Sequence, residues 1–169
     1  MGSTAASTEP PVILPDMPLG EQIMNDYASL RLALRRHPLA LLRQRLDADG
    51  IVPCARLPMI RPDSVVRVAG LVLVRQRPGS AKGVIFATLE DEDGIANVII
   101  WPDVFERYRR TVLAARLLAV TGRLQREGIV IHIVADRLFD LSDRLAGLAD
   151  DESADLFDGA LARADEVRH

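Results

Sequence analysis

The sequence is poor in aromatic side chains: one tryptophan, two tyrosines and four phenylalanines make up 4% of its 169 residues. Any ring placed on a strand therefore stands out. There is a single cysteine, Cys54, which excludes an intramolecular disulfide and a multi-cysteine metal site and fits a reducing, cytoplasmic compartment. Cys54 itself reads as a small side chain near a loop. No apolar run approaches the roughly 20 residues that span a bilayer, and the N-terminus lacks the basic-then-apolar pattern of a signal peptide. A soluble protein with no membrane partner is expected. What is plentiful is aliphatic: 49% of the residues are hydrophobic, enough for the core of one ordinary domain with flanking segments.

The formal net charge of −3 is unevenly spread. Residues 142–169 hold eight acids against three bases, whereas residues 64–141 hold eleven bases against nine acids. The tail "ADDESADLFDGALARADEVRH" reads as a solvated, disordered end, and the mildly basic middle leaves nucleic acid open as a partner. The opening, residues 1–20, has four prolines and reads as an irregular arm. Residues 21–63 form a short helical segment and a linker. Apolar residues recur there at helical spacing (Ile23, Tyr27, Leu30, Leu34), break at His37-Pro38 and resume in "LALLRQRL", before the proline-rich "DADGIVPCARLPMIRPDS".

From residue 64 the period changes from helical to extended. "SVVRVAGLVLVRQR", "GVIFATLED" and "IANVIIW" read as three antiparallel strands, the last two joined by the tight turn "EDEDG". Pro102 opens a helix with Val104, Tyr108 and Val112 on one face, and "RLLAVTGRLQREGIVIHIVADRLFDL" returns to two strands turning near Glu127-Gly128. Three strands, a helix and two strands over residues 64–141 is the order of an OB-fold, a mainly β, five-stranded Greek-key barrel. Gly70 and Gly122 fall inside the first and fourth strands, where small barrels need sharp bends or bulges.

An OB-fold presents ligands across its second and third strands, between the loop joining strands 1 and 2 and the loop joining strands 4 and 5. The first of those loops carries Arg75, Arg77 and Lys82 with no acid among them. Alternation divides strand 2 into an apolar inner set (Ile85, Ala87, Leu89) and an outer set with Phe86 and Thr88. Strand 3 divides likewise, leaving Asn97 and Trp101 outside. Phe86, Thr88, Asn97 and Trp101, bordered by Arg75, Arg77, Lys82 and Arg126, form the candidate site. Flat rings beside cations suit a single strand, because every base has a π-face and every linkage a negative charge. The alternatives are that the helix or a neighbouring domain covers Phe86 and that Trp101 plugs the barrel bottom. The four adjacent acids of "LEDEDG" suit a solvated turn better than a metal site.

The stretches "VAGLVLVRQRPGSAKGVIFATLEDEDGIANVIIWPDVFERYRR" and "LLAVTGRLQREGIVIHIVADRL" closely resemble the C-terminal OB region of bacterial error-prone DNA polymerases, relatives of the polymerase III alpha subunit. The upstream "LRLALRRHPLALLR" resembles the segment preceding that region. The resemblance implies damage-induced, mutagenic translesion synthesis and DNA repair, beside a Y-family-like protein and a RecA-like protein of the mutasome. It also implies magnesium in the polymerase domains and no cofactor in this region. The palm carboxylates of two-metal phosphoryl transfer have no counterpart in this sequence, so a C-terminal fragment or truncated copy is expected.

Two uses of the barrel follow, a single-stranded DNA-binding module and a protein-docking module of the mutasome. A third, the anticodon-binding OB domain of a tRNA synthetase, shares the strand-2 Phe and the hairpin but not "RQRPGSAKG". The isolated chain should extend no primer when supplied with magnesium and nucleotides. Primer extension by the purified chain, abolished by replacing one of its own acids, would refute this.

Overall fold

A computed structural model describes the backbone of Val12–Ile13 and the residues 36–148. Most of the N-terminal arm, the first of the two expected helices and the acidic tail beyond Leu148 lie outside the described residues. The described elements are β1 (Val12–Ile13), α1 (Pro38–Ala48), β2 (Val65–Arg77), β3 (Ile85–Glu90), β4 (Ile95–Ile100), α2 (Pro102–Arg107), α3 (Arg109–Ala114), β5 (Leu117–Glu127) and β6 (Val130–Asp140). Their sheet runs β1-β2-β3-β4-β6-β5, and a further β2–β5 pairing closes it into the five-stranded barrel of an OB-fold. All strand pairs are antiparallel except β4 with β6.

Closure depends on β2, which is long enough to serve two neighbours. Its first half pairs with β5, from Val65 opposite Arg123 to Leu71 opposite Leu117, and its second half pairs with β3, from Leu71 opposite Glu90 to Gln76 opposite Phe86. The strand must therefore bend sharply. Gly70 sits at the bend, where a Cβ would lie 2.8 Å from the Leu89 side chain and from the Glu90 amide nitrogen. Leu73 adds a bulge just beyond, where the β2–β3 register slips. At the opposite seam the β5–β6 register slips beside Gly122, whose Cβ would fall 2.2 Å from the Val134 carbonyl oxygen. Both glycines thus permit backbone to approach backbone.

Val68, Val72, Ile85, Leu89, Val98, Ile100, Leu118, Leu124 and Ile133 fill the interior. One end is closed by α2 and α3 through Val104, Phe105 and Val112. The sequence pattern implies a single helix here; the structure has two six-residue pieces broken at Tyr108, whose φ and ψ of −117° and 27° leave the helical region. The short 3-10 turn Cys54–Met59 contributes Cys54 and Leu57 to the same core. The proline-rich segment 47–64 thus packs against the barrel through Cys54 and Leu57, with Val52 and Ile60 beside them and Ile51 in the outer apolar cluster, although it has no sequence periodicity to announce it. Burial, together with the negative charge of Asp91 nearby, pushes the Cys54 thiol far up from its ordinary value, so it stays protonated and unreactive.

A second apolar layer lies outside the barrel. Leu39, Leu42 and Leu46 of α1, with Leu145 and Leu148, cover Ala69 and Leu71 of β2 and Leu117 and Ala119 of β5. These strand segments are buried on both faces, which explains their continuous rather than alternating hydrophobicity. Pro38 opens α1 without losing a bond, and the His37 Nδ1 accepts the Leu39 N–H at 3.1 Å. Gly122→Ala should lower stability by about 2 kcal/mol or more, since the neighbour it meets is ladder backbone that cannot rotate away. Urea denaturation measures this; an unchanged midpoint would contradict the close approach.

Candidate nucleic-acid interface

With α1 on the β2–β5 side, the outer face of β3, β4 and β6 is the side left open among the described residues. Ladder register decides which side chains meet there, because directly paired residues share a face. Phe86 stands opposite Ile99, Ile99 beside Val134, and Val134 opposite Arg123 of β5. The next row holds Thr88, Asn97, His132 and Gln125 in the same order. Phe86 is 36% exposed, and Ile99 and Val134 are half-buried, so the first row is an accessible apolar strip ending in a cation.

The alternation expected for β3 and β4 is observed: Ile85, Ala87 and Leu89 point inward with Ala96, Val98 and Ile100, while Phe86, Thr88 and Asn97 point outward. Trp101 is 51% exposed at the N-terminal boundary of α2, so it does not plug the barrel. His132, Gln125 and Arg123 were not among the expected site residues. Alternation within "GRLQREGIVIHIV" assigns their face, but only the parallel β4–β6 pairing sets them beside Asn97 and Ile99.

Of the four expected cations, Arg75, Arg77 and Arg126 turn elsewhere. The strand continues through Arg77 instead of ending in a loop, and Arg75 pairs with Ala87, an inward residue, so it points to the helical end of the barrel. There the Arg75 Nε donates to the Val112 carbonyl at 2.5 Å and a terminal nitrogen donates to the Ala115 carbonyl. These are carbonyls at the C-terminal end of α3, where a cation is also favoured by the helix dipole. Burial pushes the Arg75 guanidinium down to about 10, partly offset by Asp140, and it remains charged at neutral pH. Arg77 lies over the buried Phe105 ring, 4.9 Å from its centroid, a cation–π contact on the same side.

Lys82 is exposed, in a left-handed backbone conformation (φ 52°) just before β3. Arg126 is exposed in the β5–β6 hairpin and donates to the Pro58 carbonyl. Lys82 precedes β3 at the end of the open face where Ile85 pairs with Ile100, whereas Arg126 pairs with Ile131 on the inward alternation of Leu124 and Ile133 and so turns to Pro58 at the other end of the barrel. Arg123, which makes no side-chain hydrogen bond or ion pair with the described residues, lies at the far edge of the open face opposite Val134.

The acids of "LEDEDG" are not a free turn. Asp91 is only 2% exposed; one oxygen accepts the Asp93 and Gly94 N–H groups at 2.8 and 2.9 Å, and the other accepts the Cys54 N–H at 2.7 Å. Arg43 of α1 pairs with Glu92 and reaches Asp91 at 3.4 Å, and the His37 Nε2 lies 3.2 Å from Glu90. The run therefore fastens the hairpin to α1 and to the 3-10 turn. Among the described residues no group of three or more His, Cys, Asp or Glu is placed to hold a metal ion.

The sequence profile of the OB-fold nucleic acid binding domain matches residues 66–141. An error-prone DNA polymerase of Agrobacterium fabrum is 49% identical over 165 residues, which are 98% of this chain and 15% of that protein. The error-prone DNA polymerase of Ruegeria pomeroyi is 54% identical over 140 residues, 83% of this chain and 12% of the relative. This chain thus spans about 15% of the length of the relatives it matches. Among solved structures, asparaginyl-tRNA synthetase of Pyrococcus horikoshii aligns with 54% of this chain and 23% of its own at 22% identity and a TM-score of 0.44.

The two classes of cation separate in a stability measurement. Arg75→Ala should lower the unfolding free energy by about 2 kcal/mol, because two helix-end carbonyls lose a charged donor. Lys82→Ala should stay within about 0.5 kcal/mol of the parent. Equal effects in chemical denaturation would mean that Arg75 is not a structural cation.

Proposed function

Because this chain belongs to the error-prone DNA polymerase family, as an OB-fold nucleic-acid-binding region of it, we propose that it is the module that binds single-stranded DNA for such a polymerase. In this reading it guides template during damage-induced translesion synthesis and DNA repair in the cytoplasm. The observation that carries the reading is the open outer face of β3, β4 and β6, with Phe86 accessible on it and α1 occupying the other side. A base stacks on Phe86 against Ile99 and Val134. Lys82 and Arg123 take backbone phosphates around the edge, and Trp101 extends the aromatic surface beside the loop. Arg75 and Arg77 hold the barrel end and make no phosphate contact.

A second reading, docking of the Y-family-like or RecA-like mutasome proteins, is favoured by one feature. Ile95, Ile129 and Val130 are 55%, 98% and 44% exposed at the hairpin end of the same face. Apolar side chains this open at a loop tip are typical of protein contacts.

Fluorescence anisotropy of a labelled single-stranded oligonucleotide, titrated across salt, tests the first reading. Log K should fall with log salt by about 0.7 per phosphate contact, and Lys82→Ala with Arg123→Ala should flatten that slope. Phe86→Ala should weaken binding at every salt concentration, by the equivalent of roughly 1–3 kcal/mol, and leave the slope unchanged. If all three substitutions leave affinity and slope as in the parent, the face belongs to protein docking and pull-down with the mutasome proteins becomes the deciding assay.

A further inference from the structure

The row Thr88, Asn97, His132 and Gln125 differs from what flanks it. On one side lie Phe86, Ile99 and Val134; on the other, two residues earlier on their strands, lie Ile95 and Val130, with Glu90 and Glu127 at the ends of that row. A sheet face kept only for water is usually furnished with Lys, Glu and Arg. This row instead holds side chains with a hydroxyl, two amides and an imidazole, each able to donate and to accept. Among the described residues, none of the four side chains makes a hydrogen bond or ion pair. Adjacent strands lie about 4.8 Å apart, so the row extends across roughly 14 Å, and it stands about 6.7 Å along the strands from the Phe86 row. A base lying on the Phe86 row turns an edge toward it.

We propose that this row reads base edges, giving the module a sequence preference carried by Asn97 and His132, which the parallel β4–β6 register sets side by side. The inference rests on the single-stranded DNA reading above. Stacking on Phe86 and phosphate contacts are indifferent to base identity. A hydrogen-bonding row beside the platform is what converts such binding into discrimination. The Asn97 amide presents a donor and an acceptor together, the arrangement that matches the N6 donor and N7 acceptor of adenine. His132 supplies a donor and an acceptor from opposite sides of its ring, and Thr88 and Gln125 extend the row at either end.

The test uses the full chain and oligothymidylates of one length in which a central triplet is kept, or replaced by dA or dC, so that phosphate number is constant. The dA triplet should bind about fivefold or more tighter than the dT strand. Asn97→Ala and His132→Ala should bring the ratio to within about twofold while the salt slope stays that of the parent. Asn97→Ser, which keeps a small polar side chain at an exposed strand position, checks that any loss is not one of folding. Equal binding of all strands by the parent, or a preference that survives both alanine variants, overturns the proposal and leaves single-stranded DNA binding standing. If no strand binds at all, the single-stranded DNA reading fails and this inference fails with it.

Discussion

Everything in this barrel depends on one strand being shared. β2 pairs with β5 through its first half and with β3 through its second, and Leu71 is common to both ladders. A side chain at Gly70 would meet the Leu89 Cβ and the Glu90 backbone, so the bend requires glycine. Once the barrel is closed, its exterior divides. The β2–β5 segments around Ala69 and Ala119 are apolar outside as well as inside and must be covered, and α1 covers them. The face of β3, β4 and β6 carries alternating outer residues that tolerate water, and it is this side that remains open.

The charged residues divide in the same way. Arg75, Arg77, Arg43 and Asp91 have their charges turned inward, onto helix carbonyls, an aromatic ring, carboxylates and backbone amides respectively. An ion taken from water is tolerated only with partners of this kind. Asp91 is the clearest case, since its carboxylate joins the β3–β4 hairpin to the Cys54–Met59 turn while Arg43 brings α1 to both. Lys82 and Arg123 stay outside, where their charge is available to an anionic partner. A count of basic residues in the sequence does not separate these classes; the environment of each guanidinium does.

The open face follows from strand order more than from any single residue. The Greek-key path places β6 parallel to β4, which sets residues from the end of the fold next to residues from its middle. An apolar row, a hydrogen-bonding row and a row of Ile95 and Val130 ending in Glu90 and Glu127 are thereby stacked along the strands. The proposed single-stranded ligand, with a stackable face and a hydrogen-bonding edge, would lie across these rows. This agrees with the family in which the chain is found and with the OB-fold nucleic acid binding profile over residues 66–141.

The sequence by itself determined what depends on local pattern. The change from helical to alternating period located the strands, Pro102 located the helical cap, Gly70 and Gly122 marked the tight places, and alternation put Phe86, Thr88 and Asn97 on the outer face. It could not say where a chain segment without periodicity would pack, and so Cys54 and Leu57 read as linker while the fold uses them as core. Nor could it see that Arg75 and Arg77 continue the strand toward the helices, since a cationic run near a Pro-Gly turn has the same composition whether it faces solvent or a helix end. Tertiary structure decided the register between strands distant in the chain. It alone placed His132 beside Asn97 and Val134 beside Ile99, because the neighbours of β4 and β6 are set by the closure of the whole barrel and not by the period of either strand.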